Sequence, residues 1–456
     1  MKFPASRPHL LAIILLLSTL GACGGGGGNA PATPQPPAPP PVTPTITSIT
    51  PATAILTRPT DFEVTGTDLR DGMSFQLAGC ASPVEAAGGS MTRRVFRCTP
   101  SGSSGEHTLQ LYAAAGAASS LASKTVTYLT PVTKVAEVNR KMVVLKEDGT
   151  LWVWENDWGK STASNVVTIN TAFGSDFTDI EGGSYFGLAI GADGGLWAWG
   201  SNNDGVFAEG PQSGSDTPVL IAKGFAKVAV KGAHTSGGER VAGIKRDGSL
   251  WAWGSRSTPV PEDYHIQVLP NQFGAGFSDL ATGTTGESMA LKADGSLWTW
   301  NENISPAPFI PVKFGDGYQL VVSAYAANYG IKKNGELWAW GRNAVKRDQA
   351  ATDDTPVLVG SGYVSLSAGA YYVMALKADG TLWGFGSNSE GQFGTGDTKG
   401  GGPVQSAATG VRKVWAGGSC TVIEKRDGTL WATEYCTLGR MTGTYPTWEF
   451  HRLPQY

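Results

Sequence analysis

Residues that commonly carry catalysis are few in this sequence, and they are poorly spaced for it. Gly159-Lys160-Ser161 ends like a phosphate-binding loop, but the glycine that such a loop needs five positions earlier is Trp154. The five histidines show no metal-ligand spacing; they are His9, His107, His234, His265 and His451. We therefore expect no catalytic residue, no metal site and no cofactor.

Cys23 has the surroundings of a lipidation site. Positive charge near the start is followed by an apolar run, 10–17, that is too short to span a bilayer. The tetrapeptide Leu-Gly-Ala-Cys at 20–23 resembles the lipobox of bacterial lipoproteins, in which the signal is removed and the cysteine is acylated. This resemblance predicts a signal peptide over 1–22 and a lipid anchor on Cys23. The alternative is an ordinary secretory signal cut near Ala22.

The residues around the predicted cleavage point also indicate a cellular location. Glycine rather than aspartate follows Cys23, and this favours, by the same resemblance, an outer-membrane protein that faces the periplasm or the cell surface. The net charge of −3 becomes −5 when Lys2 and Arg7 leave with the signal. Such a balance provides no attractive field for phosphates, so we expect no nucleic-acid partner.

The other four cysteines fall into two local pairs, Cys80 with Cys98 and Cys420 with Cys436. An oxidising compartment would allow both pairs to form disulfides. The alternative is four buried free thiols, and spacing alone does not choose between the two.

Two segments precede the main body of the chain. Residues 23–44 are rich in glycine and then in proline, which predicts an extended linker; the last fourteen residues would reach about 40 Å at ~3.1 Å per residue. Residues 45–129 alternate short apolar segments with turn residues, as in a small β-sandwich. The pattern around Ile49, Phe62 and Leu69 resembles the IPT/TIG type of immunoglobulin-like domain, which implies a non-catalytic stalk or binding module.

A repeated unit occupies residues 130–456. Each copy contains Asp-Gly or Asn-Gly between two apolar runs, which predicts a hairpin with a two-residue turn. Strand-like segments precede and follow each hairpin, so a copy supplies the four strands of one propeller blade. The turn glycines lie 40 to 54 residues apart and are Gly149, Gly194, Gly248, Gly295, Gly335, Gly380 and Gly428.

Two aromatic positions follow each turn. Because both faces of a blade meet other blades, we expect these tryptophans to be structural core residues that act as wedges between blades. The first position holds Trp152, Trp197, Trp251, Trp298, Trp338, Trp383 and Trp431. The second position holds Trp154, Trp199, Trp253, Trp300 and Trp340, then Phe385 and Thr433.

The stretch ALKADGTLWGFGSNSEGQFGTGD, 375–397, resembles a repeat of the regulator of chromosome condensation family. This resemblance implies a seven-bladed propeller, although the other copies depart from the full glycine-rich tail. We therefore predict an all-β chain: a seven-bladed β-propeller preceded by a small immunoglobulin-like β-sandwich. Thr447–Leu453 is the candidate closing strand of the ring.

The preferred functional hypothesis is a monomeric surface lipoprotein whose propeller binds a protein or a glycan through its loops. The candidate contacts are Asn156, Asp157, Asn202, Asn203, Arg256, Asn301, Asn343 and Asn388. The alternative is an envelope enzyme that acts on glycans at the central channel. Eukaryotic members of the family act on a small GTPase and chromatin, which a bacterial envelope lacks, so we expect no GTPase partner.

Overall fold

A computed structural model describes most of the folded part of the chain. The described residues are 43–138, 141–154, 167–168, 176–207, 213–231, 239–254, 267–268, 275–283, 287–301, 311–325, 327–341, 355–433, 436 and 447–453. Within them the strands form nine four-stranded sheets, two in a sandwich and seven in a propeller. Cys23 and the predicted signal and linker lie outside the described residues, apart from the last two positions of the linker.

The first eight strands make the β-sandwich. They are β1 (Thr45–Thr50), β2 (Thr53–Ile55), β3 (Thr60–Thr67), β4 (Ser74–Leu77), β5 (Val84–Glu85), β6 (Arg93–Cys98), β7 (Gly105–Tyr112) and β8 (Ser120–Leu129). One sheet has the order β1-β3-β6-β5 and the other β2-β8-β7-β4. Alternate residues such as Phe62, Val64 and Leu111 point into one shared core, as the alternating sequence predicts.

The next sixteen strands form blades 1 to 4 of the propeller. They are β9 (Val132–Val138), β10 (Lys141–Lys146), β11 (Leu151–Trp154), β12 (Val167–Thr168), β13 (Phe177–Gly182), β14 (Phe186–Gly191), β15 (Leu196–Gly200), β16 (Ser215–Ala222), β17 (Phe225–Lys231), β18 (Arg240–Lys245), β19 (Leu250–Gly254), β20 (Gln267–Val268), β21 (Phe277–Thr282), β22 (Glu287–Lys292), β23 (Leu297–Asn301) and β24 (Val312–Gly315).

The last twelve strands form blades 5 to 7. They are β25 (Tyr318–Ala324), β26 (Ala327–Lys332), β27 (Leu337–Gly341), β28 (Val357–Gly360), β29 (Tyr363–Ala368), β30 (Tyr372–Lys377), β31 (Leu382–Gly386), β32 (Gly401–Gln405), β33 (Val411–Ala416), β34 (Thr421–Lys425), β35 (Leu430–Thr433) and β36 (Phe450–Arg452). In each blade four consecutive strands pair in order, all antiparallel.

The hairpins form where the sequence predicts them, between the second and third strands of each blade. In blade 6 the turn glycine, Gly380, has a φ of 88°, a region that other residues rarely adopt. Asp379 Oδ1 accepts hydrogen bonds from the backbone N–H of Thr381, at 2.8 Å, and from its hydroxyl, at 2.7 Å. The recurring acid is therefore part of the turn.

Each blade buries both of its faces against its neighbours. Every residue of β14 is buried, which explains why this strand lacks the apolar-polar alternation of a half-exposed sheet. On one face, Ala189 joins a core cluster with Leu145 of blade 1; on the other, Leu188 joins a cluster with Val241 of blade 3. The hydrophobic core of the propeller is thus a ring of contacts between adjacent blades.

The two aromatic positions have different roles, and the prediction for the first one needs correction. The first tryptophan of every blade packs against a core cluster but is only half-buried; these residues are Trp152, Trp197, Trp251, Trp298, Trp338, Trp383 and Trp431. The fully buried wedge is the second position, held by Trp199, Trp253, Trp300, Trp340 and Phe385 where the structure describes it. The second ring lies on the same face of the strand, two residues farther from the hairpin turn.

The ring closes by side-chain packing. Thr447–Leu453 contains β36, the predicted closing strand, but β36 pairs with β35 as the fourth strand of blade 7. All four strands of blade 1 come from residues 132–168, so no blade mixes the two ends of the chain. Instead, Val422 of blade 7 and Val144 of blade 1 share one core cluster.

Both predicted disulfides are present. Cys80 bonds to Cys98 at the end of β6 in the sandwich, and Cys420 bonds to Cys436 in blade 7. The second bridge lies within the cluster that joins blade 7 to blade 1. It therefore reinforces the contact where the ring closes.

The sandwich contacts blade 7 through a buried ion pair. Glu424 is 1% exposed; its two carboxylate oxygens accept from Arg58 of the sandwich, at 2.5 Å, and from Arg412 of blade 7, at 3.0 Å. Beside them, a Cβ atom added to Gly428 would lie 2.3 Å from Cγ1 of Ile55. A buried carboxylate that loses a partner is costly, so this contact fixes the sandwich on the blade.

The two aromatic positions predict different stability losses in blade 5. Trp340→Ala removes a ring that is 1% exposed and should lower the free energy of unfolding by about 3 to 5 kcal/mol. Trp338→Ala removes a half-buried ring at the blade's periphery and should cost roughly half as much or less. Thermal unfolding of the two variants measures the difference. Equal losses would contradict the assignment of the wedge to the second position.

Candidate binding surface

The blades have two chemically different ends. The Asp-Gly or Asn-Gly hairpins lie at one, which we call the turn end. The loops that join the first to the second strand and the third to the fourth strand lie at the other, which we call the loop end. The turns repeat closely from blade to blade, whereas the loops differ in length and composition. Variation on a constant scaffold is typical of a recognition surface.

Three tyrosines are exposed on first-to-second-strand loops at the loop end. Tyr185 of blade 2 is 63% exposed, Tyr325 of blade 5 is 39% exposed and Tyr371 of blade 6 is 42% exposed. The rings of Tyr325 and Tyr371 contact each other across the two blades, with 5.1 Å between their centroids. Tyr325 has a φ of 50°, which is uncommon for a bulky residue.

Backbone hydrogen bonds hold these loops to the loops beside them. The carbonyl of Tyr185 accepts from the N–H of Ser201 at 2.9 Å, and that of Tyr371 accepts from the N–H of Ser387 at 3.0 Å. Next to Tyr371, the N–H of Ala370 donates to the carbonyl of Gly418 in blade 7. Tyr185 and Tyr371 are therefore presented from loops whose backbone is held by hydrogen bonds.

Two glutamates connect loops of neighbouring blades. Glu239 of blade 3 is buried and accepts from the N–H of Ser184 in blade 2 at 2.5 Å. Glu137 of blade 1 accepts from the N–H of Gly418 in blade 7 at 2.6 Å. Burial raises the pKa of the Glu239 carboxyl, and the negative charge of Asp204 raises it further, while hydrogen bonds from Ser184 oppose the rise.

Two of the predicted contact residues are structural instead. Asn388 is 1% exposed: its Oδ1 accepts from the N–H of Phe393 at 2.8 Å, and its Nδ2 donates to the carbonyl of Asp397 at 3.0 Å. Asn202 is buried in the same way and accepts from the N–H of Phe207 at 2.8 Å. Both amides fold their own loop, so neither presents a binding group to solvent.

Of the other six predicted contact residues, the structure describes only two. Asn203 is exposed beside Asn202 at the loop end. Asn301 is the last residue of β23. Asn156, Asp157, Arg256 and Asn343 lie outside the described residues. The structure therefore brings none of these predicted residues together into one described cluster.

Three carboxylates on the first strands of blades 2 and 4 have basic partners in an adjacent blade. Lys134 of β9 donates to Asp179 at 2.8 Å and to Glu181 at 2.5 Å, both in β13 of the next blade. Lys227 of β17 pairs with Asp279 of β21. These are ion pairs between adjacent blades. The enzyme hypothesis would be favoured by carboxylates that lack basic partners, and these described acids do not provide that arrangement.

In the described part of the chain, no group of three or more histidine, cysteine, aspartate or glutamate side chains could hold a metal ion. The described residues also include no helix whose length and hydropathy would let it cross a bilayer.

Sequence comparison identifies the repeat. The model named "Regulator of chromosome condensation (RCC1) repeat" matches residues 177–206 and 363–392, which correspond to the first three strands and following loops of blades 2 and 6. The propeller is RCC1-like. No curated protein sequence matches the chain significantly.

Solved structures support the same fold. Prp20p from Saccharomyces cerevisiae is 15% identical, with a TM-score of 0.53 over 70% of this chain and 88% of that one. A chain in the structure of Kap60 bound to yeast RCC1 (Prp20) is 17% identical, with a TM-score of 0.51 over 63% of this chain and 78% of its own. Human WBSCR16 is 13% identical, with a TM-score of 0.52 over 66% of this chain and 88% of that one. At these identities the likeness of the RCC1-like propeller to them concerns the fold alone.

Sequence reasoning missed the three tyrosines because it looked for features that recur at the period of the repeat. Tyr185, Tyr325 and Tyr371 belong to only three of the seven blades. A useful signal would have been an aromatic residue that precedes the second strand in a few copies of the repeat and is absent from the others.

The raised pKa of Glu239 predicts a pH-dependent stability. Since its pKa is above the ordinary value of 4.5, folding favours the protonated form, and this contribution is lost as pH rises through the folded-state pKa. Glu239→Gln keeps an oxygen that can accept from Ser184 but carries no charge. The variant should therefore gain thermal stability relative to the native protein between about pH 4 and pH 7. Asp193→Asn, at an exposed turn acid, is the control; a constant difference across this range would contradict the prediction.

Proposed function

We propose that the RCC1-like propeller is a protein-binding module and that its loop end, centred on the paired Tyr325 and Tyr371, is the binding surface. Tyrosine offers a large and rigid contact area with one polar group, and it is enriched at the energetic centres of protein interfaces. Other tyrosines of the same two blades, Tyr329 and Tyr372, are buried in the core. The exposure of Tyr325 and Tyr371 is the observation that carries the proposal.

The scaffold around this pair favours tight binding. Ser387 of the same blade donates to the carbonyl of Tyr371, Ala370 donates to Gly418 of blade 7, and Glu137 of blade 1 accepts from that same Gly418. These bonds fix the backbone of the Tyr371 loop before a partner arrives. A surface that is already ordered loses less conformational entropy on association. The fold itself supports the class of function: yeast Prp20 has been solved with Kap60 bound, and a study of Prp20p concerns its binding to Gsp1p and histones.

The proposal is for binding and not for catalysis, and it does not name the partner. A glycan remains the second class of ligand, since exposed aromatic rings also stack on sugars. The expectations that the protein is a monomer and that it binds neither nucleic acid nor a small GTPase remain predictions. So does the assignment of the sandwich to the IPT/TIG type, with a stalk or binding role.

Affinity capture tests the loop end. Full-length protein and the double variant Tyr325→Ala/Tyr371→Ala are used as bait for envelope extract and culture medium, and bound species are quantified by mass spectrometry. A specific partner should be depleted at least about tenfold by the double variant, because interface tyrosines often contribute 2 kcal/mol or more. Val364→Ala is the matched control, since this exposed residue is the second of the first strand of blade 6, near the turn end.

A partner that is lost equally in the control variant, or retained by the double variant, would refute the loop end as the surface. Depletion of a glycan from the extract without any captured protein would favour the enzyme hypothesis instead.

We also propose that Cys23 anchors the protein to the outer membrane through lipid. Cys23→Ser should move the protein from the detergent phase to the aqueous phase in a phase-separation assay and should abolish incorporation of labelled palmitate. Gly25→Ser, which keeps the cysteine, should behave as the native protein does. Retention of Cys23→Ser in the detergent phase would contradict a lipid anchor at this residue.

A further inference from the structure

A lysine ammonium lies over the first tryptophan of six blades. The lysine is the residue six positions before the tryptophan, and the distance from Nζ to the ring centroid is 3.4 to 4.9 Å. The pairs are Lys146–Trp152, Lys245–Trp251, Lys292–Trp298, Lys332–Trp338, Lys377–Trp383 and Lys425–Trp431. This is the geometry of a cation–π interaction at the turn end.

In blades 3 to 6 the same ammonium also lies over a second ring. In blade 6, Lys377 Nζ is 4.9 Å from the Trp383 ring centroid and 4.8 Å from that of Tyr363, the first residue of the blade. The turn acid Asp379 is held nearby: it accepts from the Thr381 hydroxyl, which in turn accepts from Trp383 Nε1. Two rings thus face one ammonium, beside a turn that carries a carboxylate.

Blade 2 has the two rings and the turn acid but lacks the lysine. Phe177 and Trp197 pack edge to face with centroids 6.3 Å apart. Asp193 keeps its turn role by accepting from the N–H of Gly195 at 2.8 Å. Gly191 stands where the other six blades have lysine, and Gly195 stands where they have serine, threonine or glutamate. We call Phe177, Asp193 and Trp197 the Trp197 site.

Blade 6 shows that the surroundings of the Trp197 site tolerate a cation. In blade 2, the guanidinium of Arg246 from the next blade donates to the carbonyl of Ala192, beside the turn. In blade 6, Arg426 from the next blade donates in the same way to the carbonyl of Ala378. Lys377 nevertheless lies over Trp383 there. A neighbouring arginine therefore does not exclude an ammonium from this position.

We propose that the Trp197 site binds an ammonium group from outside the chain, the side chain of a lysine on a protein partner. In blades 3, 4 and 6 a lysine ammonium lies over two rings, beside a turn that carries an aspartate. Blade 2 keeps both rings and the turn carboxylate of Asp193, and Trp197 is partly exposed. The site lies at the turn end, so it is separate from the tyrosines of the proposed binding surface and adds a second point of contact.

The proposal can be tested with a small molecule, without any knowledge of a partner. The full-length protein is labelled with ¹⁵N in its tryptophan indoles, and the Trp197 signal is assigned from Trp197→Phe. Nα-acetyl-lysine methylamide is then titrated at constant ionic strength, with sodium chloride and tetramethylammonium chloride as separate arms. The Trp197 signal should move with the lysine derivative and saturate, while that of Trp383, which has its own lysine, should move at least tenfold less.

Two variants exchange the patterns of blades 2 and 6. Gly191→Lys should place the chain's own ammonium over Trp197 and abolish the shift; a Cβ atom at this position would lie 2.8 Å from Oδ1 of Asp193, a side-chain atom that can turn away. Gly191→Ala, which adds no charge, should retain binding. Lys377→Ala should create a second site and give Trp383 the response that Trp197 has in the native protein.

Two results would overturn the proposal. In one, the Trp197 signal of the native protein moves no more than that of Trp383. In the other, it moves with tetramethylammonium but not with the lysine derivative, which would assign the site to quaternary ammonium compounds instead. Both results are independent of the affinity-capture experiment on the loop end, because the titration contains no protein partner.

Discussion

The structure depends on the contact that one large aromatic ring in each of blades 2 to 6 makes with the face of the blade before it. Trp199 of blade 2 shares a core cluster with Val143 and Leu145 of blade 1, and Trp340 of blade 5 shares one with Leu291 of blade 4. The ring needs room that a side chain opposite it would take: a Cβ atom on Gly187, directly across from Trp199, would lie 2.1 Å from a ring atom. Each blade is thereby held face to face with its neighbour at a fixed separation.

That separation explains why polar contacts between blades are short and recur at equivalent places. At the turn end, the residue two positions before the turn glycine donates to a backbone carbonyl of the preceding blade in blades 3, 5 and 7: Arg246 donates to Ala192, Lys333 to Asp294 and Arg426 to Ala378. At the loop end, Glu239 makes the corresponding link. Because the core has already fixed the distances, these groups form hydrogen bonds at little further entropic cost, and the exposed tyrosines are carried on ordered backbone.

The sequence predicts the features that repeat and does not predict those that occur once. The Asp-Gly pairs locate the hairpins because few residues accept the positive φ of Gly380 and its equivalents. The seven turns, spaced at the period of a propeller blade, likewise predict seven blades. The burial order of the two aromatic positions depends on how neighbouring sheets pack, which period alone does not reveal. The role of Asn388 is likewise set by the carbonyls that its loop brings to it.

The tolerance of the fold to change differs along each blade, and this difference determines where function can arise. In a repeated architecture, stability is approximately a sum over units and their neighbours. Loss of a wedge such as Trp199 would open the contact between two blades. A glycine in place of the lysine, as at position 191, removes only a partly exposed cation–π contact, worth about 0.5 to 1 kcal/mol. Blade 2 shows this directly, since it retains the complete buried core of the repeat without the lysine. Individual blades can therefore acquire distinct chemistry at their ends while the packing between them keeps the ring intact.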